Sequence, residues 1–417
     1  MSTTRTPVQD VPGKKDWRED FFEFEDVAYL NLAGQAPIPR VAAKALETAA
    51  EWKKLPHKLP QETFFGLPNR VRALVAQLIG GQPEEVAITT GATSGLAAVA
   101  NGFDWNADDE VLLARGEFPA HFTVWKPLAE SGRLRVKVVE PRNRFITAED
   151  FIAHIGPRTR LVSASLVRFD DAARLCLPDA PGRLAEALHA VGGHLLLDVS
   201  QCVGAMPFDV RALGADFLVA AGYKWLLSPY GTGFFWARGE AIGRMRPAPF
   251  YWMALEGADR FHSLSLDRLE LAPGARRWDS PETASFFNLA PMEASLEFVW
   301  RAGVETIWEH NRRLIGELIE RLPLDRCVLA SPRDPAERGP FVCVAGRSQE
   351  KTRALYEKLR AAKIFVSLRE NARALHLTST TPSATWIACS PSWPCSVRVQ
   401  EPPCQTDQPC RIGRASP

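Results

Sequence analysis

Short apolar segments alternate with helical segments along most of this chain of 417 residues, and the alternation limits the fold more than any other feature. Strand-like runs of this kind occupy 110–113, 135–139, 160–165, 194–198 and 215–220. Short apolar strands separated by helices are typical of a mostly parallel sheet that helices cover on both faces. We therefore expect an α/β fold.

The alternation ends near residue 245, and longer helical patterns with few strands follow it. This change predicts a second, smaller α+β domain. We expect an N-terminal tail at 1–20, a large domain at 21–245, a small C-terminal domain at 246–373 and an aberrant, disordered tail at 374–417.

The last part of the chain, Thr378–Pro417, has no periodicity and contains four of the eight cysteines, two tryptophans and a surplus of Pro, Ser and Thr. A disordered tail is one interpretation. A change of reading frame near residue 374 is another, because permitted codons for His376–Pro382 spell SHLYNT in a shifted frame and extend into an amphipathic helix. A zinc site is disfavoured, because cysteine spacings of six, nine and six residues lack the close pair of structural zinc sites. We expect no metal.

The charges are balanced, with 50 basic and 49 acidic residues, so no basic surplus argues for a nucleic-acid partner. The first twenty residues are polar and contain no apolar signal core. The apolar runs are much shorter than the roughly 18–20 residues that a membrane span needs. We expect a cytoplasmic protein that acts on a small molecule and binds neither nucleic acid nor membrane.

Two residues that can carry chemistry stand at the ends of buried strands. Asp198 ends one apolar run, and Lys224 follows a later run 26 residues further on. Either residue alone is more simply a solvated strand edge, but parallel strands place both at the carboxyl edge of the sheet, where ligands bind. Together they fit pyridoxal phosphate, because a lysine forms a Schiff base with its aldehyde and a carboxylate pairs with its ring nitrogen. The turn at 90–95, between a strand and a helix, offers backbone N–H groups for the phosphate.

With these residues the chain resembles the class V aminotransferase family, which belongs to fold type I of the pyridoxal phosphate enzymes and includes cysteine desulfurase-like and isopenicillin N epimerase-like proteins. The resemblance runs from 29–34 to 367–371 and is most specific at 198–201 and 222–225. It implies a large domain with a mostly parallel sheet, a smaller α+β domain, pyridoxal phosphate as cofactor, an amino acid substrate and a homodimer.

The resemblance also implies roles for individual residues. Lys224 matches the Schiff-base lysine and is the catalytic residue. The residues that match cofactor contacts are Ala92, Thr93, Phe118, Asp171, Asp198, Gln201, Tyr223, Lys224 and Thr283. Those that match substrate contacts are Asn31, Ala33 and Arg373. Three positions depart from the family pattern: Asp171 replaces an Asn, Ala221 replaces a Ser, and Thr283 lacks the usual preceding glycine.

The reaction that these residues favour is transamination at the Cα of a small amino acid, with Lys224 as the general base. An epimerase or a lyase on the same scaffold has the same residues and stays open. Sulfur removal from cysteine is disfavoured, because it needs a nucleophilic thiol on a small-domain loop and Val366–Arg373 contains no cysteine. A catalytically inactive protein of this fold is a further alternative, suggested by the tail, Asp171 and Ala221.

Overall fold

The computed structural model describes residues 17–246, 251–263, 267, 269–282, 285–369 and 374–377. Its strands are β1 (Ala28–Tyr29), β2 (Val86–Thr89), β3 (Glu110–Ala114), β4 (Arg135–Val139), β5 (Thr159–Ser165), β6 (His194–Asp198), β7 (Phe217–Ala221), β8 (Gly233–Ala237), β9 (Cys327–Leu329), β10 (Val342–Gly346), β11 (Ile364–Phe365), β12 (Ser367–Arg369) and β13 (Ala374–Leu377). Its α-helices are α1 (Arg40–Lys54), α2 (Thr63–Ile79), α3 (Ala92–Gly102), α4 (Pro119–Glu130), α5 (Ala148–Ile152), α6 (Arg183–His189), α7 (Val210–Leu213), α8 (Gly239–Ile242), α9 (Phe286–Ala302), α10 (Val304–Glu320) and α11 (Gln349–Ala361).

Seven strands form the main sheet, in the order β2-β8-β7-β6-β5-β3-β4. The pairs from β7 to β4 are parallel, as predicted, whereas β8 runs antiparallel to both of its neighbours. The segment between β7 and β8 contains no crossover helix, and a direct return of this kind makes an antiparallel pair. The sheet is mostly parallel and the fold is α/β.

Apolar layers cover both faces of this sheet, and β6 shows how the sequence produces them. Leu195 and Leu197 pack with residues of α2, α6 and α9, whereas Leu196 packs with residues of α3 and α4 on the other face. All three leucines have no exposed surface. A strand that is buried on both faces is apolar at successive positions, which explains why these strands are continuous apolar runs.

The small domain contains an antiparallel sheet in the order β12-β13-β10-β9 and a parallel pair of β1 with β11. Residues of α10 and α11 pack with these strands, and Leu30 joins the same core. The sequence predicts one strand at 364–368, but the structure divides it. Residues 364–365 pair with β1 and residues 367–369 pair with β13, because successive parts of the segment meet different partners.

The domain boundary predicted at residue 246 stays a prediction, and the packing of α9 bears on where it is drawn. Helix α9 packs on α1 and α2, and Leu289, Met292 and Leu296 belong to the core of the main sheet. The alternation of strands and helices stops near 245, but α9 still covers the large domain. We therefore propose that the two domains separate near Gly303, between α9 and α10.

The described part of the chain ends with strand β13. Strand β13 continues the small-domain sheet to Leu377, across the predicted boundary at 374. The predicted tail at 378–417 and residues 1–16 of the predicted N-terminal tail lie outside the described residues. No helix within the described ranges is long and apolar enough to cross a membrane.

Candidate active site

The carboxylate of Asp198 lies at the carboxyl end of β6 and is 5 % exposed. Its Oδ1 accepts a hydrogen bond of 2.8 Å from the backbone N–H of Ser200, and the Ser200 hydroxyl in turn accepts one from Ala221. Burial raises the pKa of Asp198, but His121, Lys224 and Ser200 outweigh it, and the pKa lies below its ordinary value. Asp198 is therefore ionised at neutral pH, as a partner for a protonated ring nitrogen must be.

Lys224 lies in a tight loop between β7 and β8. The Leu227 N–H donates to the Lys224 carbonyl at 2.9 Å, and Gly222 bonds across the loop to Thr232 at 2.8 Å. The Lys224 side chain is 6 % exposed. Burial lowers its pKa to about 8, although Asp198 opposes this effect, and the positive charge of Arg369 adds to it. A substantial fraction of the amine is therefore neutral, and hence nucleophilic, near neutral pH.

The turn between β2 and α3 is the segment that the sequence predicts to be the phosphate cradle. Gly91 has a φ of 155°, and Ala92 and Thr93 begin the helix. The first N–H groups of a helix have no partner inside it, so they attract an anion. Strand β8 packs directly against this turn. The two backbones are so close that a Cβ added to Gly233 would lie 2.7 Å from the Gly91 Cα.

The segment before α9 lies along the free edge of β2, next to this cradle. Asp279 Oδ1 accepts a hydrogen bond of 2.9 Å from the Ile88 N–H, and the Ser280 N–H donates to the Ile88 carbonyl at 2.9 Å. A buried ion pair with Arg72 holds Asp279 in place. Thr283, which the sequence assigns to the cofactor, lies outside the described residues.

A phenyl ring, Phe118, stands beside the lysine. The Lys224 Nζ lies 5.2 Å from the centroid of this ring, which packs edge-on against Phe169. Glu117 fixes its position: one carboxylate oxygen accepts the Phe118 N–H at 2.8 Å, and the carboxylate also accepts two hydrogen bonds from Ser165. Phe118 therefore lies beside the lysine, and its stacking on a cofactor ring stays a prediction. Sequence reasoning missed Glu117, Ser165 and Phe169, since a buried carboxylate or aromatic has no distinctive spacing.

Residues 31–36 connect the lysine loop to the small domain. The Ala36 N–H donates to the Tyr223 carbonyl at 3.0 Å, and Gln201 Nε2 donates to the Ala33 carbonyl at 3.0 Å. The Ser367 hydroxyl on β12 donates to Asn31. Asn31, Ala33, Gln201 and Tyr223 are therefore brought together. The buried Gln201 Oε1 has no hydrogen-bond partner among the described residues, so this amide retains capacity for a ligand.

Arg369 brings a positive charge from the end of β12. Its guanidinium carbon lies 5.8 Å from the Phe169 ring centroid, and its Nε has no hydrogen-bond partner within the described part of the chain. Burial lowers its pKa. The sequence assigns a substrate contact to Arg373, which lies outside the described residues, and it does not single out Arg369.

Two further predicted residues have different surroundings. The half-buried Tyr223 stacks on Tyr230 with centroids 4.3 Å apart, and burial raises its pKa, so its hydroxyl stays a donor. Asp171 Oδ1 accepts from its own loop at Ala173, and Oδ2 lies 3.8 Å from the Arg168 Nε. Burial and neighbouring acids raise the pKa of Asp171 to about 7. None of its described contacts is with Lys224, Asp198 or Phe118, so its role toward a cofactor stays a prediction.

Taken together, the geometry fits pyridoxal phosphate. A buried amine faces an aromatic ring, an ionised carboxylate lies at the adjoining strand end, and a helix N-terminus stands at the end of β2. The Gln201 Oε1 has no hydrogen-bond partner among the described residues, so it can accept a hydrogen bond from a ligand. Within the described residues, no group of three His, Cys, Asp or Glu side chains is arranged to hold a metal ion.

Comparison with known proteins shows the family of this chain. The model of the family "Aminotransferase class-V" matches residues 28–374. Isopenicillin N epimerase of Streptomyces clavuligerus is 27 % identical over 80 % of this chain and 85 % of its own length. A "Probable cysteine desulfurase" of Methanothermobacter thermautotrophicus is 28 % identical over 73 % of this chain and 74 % of its own.

Solved structures show the same fold. An apo cysteine desulfurase from Thermococcus onnurineus has a TM-score of 0.75 at 19 % identity, covering 93 % of this chain and 96 % of its own. The cystine C–S lyase C-DES, solved with its product cysteine persulfide, has a TM-score of 0.75 at 21 % identity. The match covers 85 % of this chain and 93 % of the lyase chain. The chain belongs to the class V aminotransferase family. Its cofactor is pyridoxal phosphate, and its fold is that of the fold type I enzymes.

Proposed function

We propose that the protein is an aminotransferase that acts at the Cα of a small amino acid. The observation that carries this proposal is the buried Lys224 amine, with a pKa of about 8, between Asp198 and Phe118. Pyridoxal phosphate, when bound, supplies an electron sink for the pair of electrons left at Cα. Lys224 would hold the cofactor and would act as the base that takes the proton from the Cα of the substrate.

The surroundings of Arg369 support an α-amino acid as the substrate. Its guanidinium lies above Phe169, which contacts Phe118. Its charge lowers the pKa of Lys224, so the two cations lie close enough to interact. A guanidinium with an unpaired N–H binds a carboxylate well. Asn31, Ala33 and the predicted Arg373 are proposed to complete the substrate contacts.

Phe118 favours transamination over epimerisation. Transamination needs one base, which moves a proton between two carbons, whereas inversion at Cα is commonly served by a proton carrier on each face. A phenyl ring cannot carry a proton, so Phe118 does not supply a second base. Epimerisation, the activity named for one relative, remains the alternative, with Tyr223 as the candidate second donor.

The described cysteines give little support to desulfuration, the activity named for other relatives. Cys176, Cys202, Cys327 and Cys343 are all buried. Burial raises the pKa of Cys176 to about 12 and raises that of Cys202 and Cys343 as well. A thiol of this kind is a poor nucleophile.

A single-turnover experiment separates these reactions. The holoenzyme is mixed with each of a panel of amino acids in the absence of any oxo acid, and the products are analysed by mass and chirality. We expect about one equivalent of oxo acid per active site, followed by arrest until an acceptor oxo acid is added. Continuous racemisation would identify an epimerase, and continuous release of ammonia or sulfide would identify a lyase or desulfurase. No product from any amino acid would favour the inactive alternative.

The Asp198→Asn and Lys224→Ala variants control this experiment. An amide cannot keep a ring nitrogen protonated as a carboxylate does, so we expect Asp198→Asn to bind some cofactor but to lose most of the activity. Lys224→Ala should form no oxo acid above background. Activity of Asp198→Asn within a few-fold of the wild type would contradict the assigned role.

We also infer a homodimer. The segment that ends at Thr283 resembles a family segment that reaches the neighbouring subunit's phosphate, and its described part lies along β2 next to the cradle. Sedimentation of the active holoenzyme tests this inference, and a fully active monomer would contradict it.

A further inference from the structure

A buried chain of polar side chains ends at Asp198. His121, in the first turn of α4, has no exposed surface. Its Nδ1 lies 2.8 Å from the Ser163 Oγ, and that oxygen accepts a hydrogen bond of 3.0 Å from the Trp125 Nε1. Its Nε2 lies 3.9 Å from the Asp198 Oδ2 and has no hydrogen-bond partner among the described residues.

The hydrogen-bond inventory fixes the orientation of the protons in this chain. The Trp125 indole can only donate, so it occupies one lone pair of the Ser163 hydroxyl. If the imidazole is neutral, the hydroxyl proton finds its partner at the His121 Nδ1, and the imidazole proton then lies on Nε2. The opposite tautomer would leave the hydroxyl proton unpaired in a dry site and would turn a bare nitrogen lone pair toward a carboxylate. Both are unfavourable.

We propose that His121 is a positioning residue that directs an Nε2–H toward Asp198, so that the carboxylate stays ionised and correctly oriented for the ring nitrogen of the cofactor. Trp125 and Ser163 hold the imidazole in this orientation. The proposal rests on Asp198 as the partner of the ring nitrogen and is independent of which reaction the enzyme catalyses. The His121 Nε2 and the Asp198 Oδ2 are 3.9 Å apart, which is longer than a hydrogen bond. In the observed geometry the two groups therefore interact electrostatically.

The charged groups around His121 favour its protonated form. Glu117 precedes α4, Asp198 ends β6 and Arg168 follows β5. Burial lowers the pKa of His121, but Glu117 and Asp198 raise it more than burial and Arg168 lower it, and the pKa lies above its ordinary value. The imidazolium would therefore persist to a higher pH than in an exposed histidine. It donates from both nitrogens, so the Ser163 oxygen then accepts from both the His121 Nδ1 and the Trp125 Nε1, and its own proton turns away from the imidazole.

The first test measures the wild-type apoprotein and uses a variant only to assign signals. Nitrogen NMR of protein labelled at its eight histidines reports the tautomer and the titration of each ring. The His121 signals are assigned by their loss in His121→Asn. We expect either the Nε2–H tautomer or the imidazolium, with a midpoint above the ordinary histidine value. A neutral ring with its proton on Nδ1 near pH 7 would overturn the proposal.

The second test measures cofactor binding and the pH at which the visible absorbance of the lysine-bound cofactor changes. We expect His121→Asn to weaken pyridoxal phosphate binding about tenfold and to shift the spectral midpoint by about one pH unit. The midpoint reports the proton on the nitrogen that joins lysine and cofactor, and this nitrogen is conjugated with the ring nitrogen whose protonation depends on the charge of Asp198. His194→Asn is the matched control, since His194 is also buried and lies 3.7 Å from a carboxylate, that of Asp216, at the opposite end of β6. It should change neither quantity.

A double-mutant cycle separates positioning from simple packing. In an Asp198→Asn background, adding His121→Asn should cause little further change in affinity or midpoint. An equal effect of His121→Asn in both backgrounds would refute the proposal, as would a single variant that matches the wild type in both readouts. Because no substrate is used, these results do not depend on the aminotransferase assignment, which the single-turnover experiment tests by itself.

Discussion

At Lys224, burial and the charge of Asp198 shift the pKa of the amine in opposite directions. Removing an ammonium from water disfavours the charged form, and the ionised Asp198 favours it. The pKa falls from its ordinary 10.5 to about 8, which shows that burial has the larger effect. Lys224, the proposed catalytic residue, is thus one that the fold holds at a cost, as is common for catalytic groups.

This shift predicts how the apoprotein reacts with pyridoxal phosphate. The neutral amine is the nucleophile, so the rate of covalent attachment should rise with pH and level off above about 8. Stopped-flow absorbance of the lysine-bound cofactor measures that rate. A rate that keeps rising to about pH 10, as for an exposed lysine, would show that Lys224 is not desolvated.

The same shift predicts a stability change. The fall in pKa corresponds to about 3 kcal/mol, which the folded apoprotein loses whenever the lysine is charged. Lys224→Met should therefore unfold at a higher urea concentration than the wild type at pH 7. Between pH 8 and 10.5 the unfolded wild-type chain binds more protons than the folded one, so wild-type stability rises in this window and the difference shrinks. A difference that does not vary with pH would contradict the account.

At the scale of the elements, the approach of β8 to the β2–α3 turn depends on the absence of a side chain. A Cβ on Gly233 would collide with the Ala220 carbonyl and the Gly91 backbone. Gly233→Ala should therefore destabilise the fold by about 1–3 kcal/mol and weaken phosphate binding at the turn. Titration with pyridoxal phosphate and urea unfolding measure the two effects.

A matched glycine controls this prediction. Gly316 lies inside α10, and a Cβ there would meet no atom within 4 Å. Gly316→Ala should stabilise the protein by about 0.5–1 kcal/mol, because alanine loses less backbone entropy in a helix. It should not alter cofactor binding. Equal effects of the two substitutions would show that crowding at Gly233 does not matter.

Elements with a strong local pattern could be predicted from the sequence. Strands β4 and β6 have the predicted bounds, 135–139 and 194–198. Asp198 and Lys224 could be found because both lie at strand ends that a parallel sheet brings to one edge. Glu117, His121 and Arg369 could not, because their roles depend on contacts between elements that are distant in sequence. The division of 364–368 and the packing of α9 also depend on tertiary partners.

At the scale of the whole molecule, a buried ion pair attaches the segment before α9 to the large domain. Arg72 on α2 is 5 % exposed and Asp279 is 4 % exposed. Removing one partner leaves an uncompensated buried charge, so Arg72→Met should lower the unfolding free energy by about 3–5 kcal/mol. The paired variant Arg72→Met/Asp279→Leu should recover much of this loss. Urea titrations measure both variants, and a paired variant no more stable than Arg72→Met alone would contradict this explanation.

The central claim is that this fold serves to hold pyridoxal phosphate on Lys224, and chemical trapping tests it most directly. The holoenzyme is reduced with borohydride, digested and mapped by mass spectrometry, with Lys224→Ala as the control. We predict the reduced cofactor on the peptide that contains Gly222, Tyr223 and Lys224, and no such adduct in the variant. A cofactor found on another lysine, or a folded wild-type protein that traps none, would contradict the account.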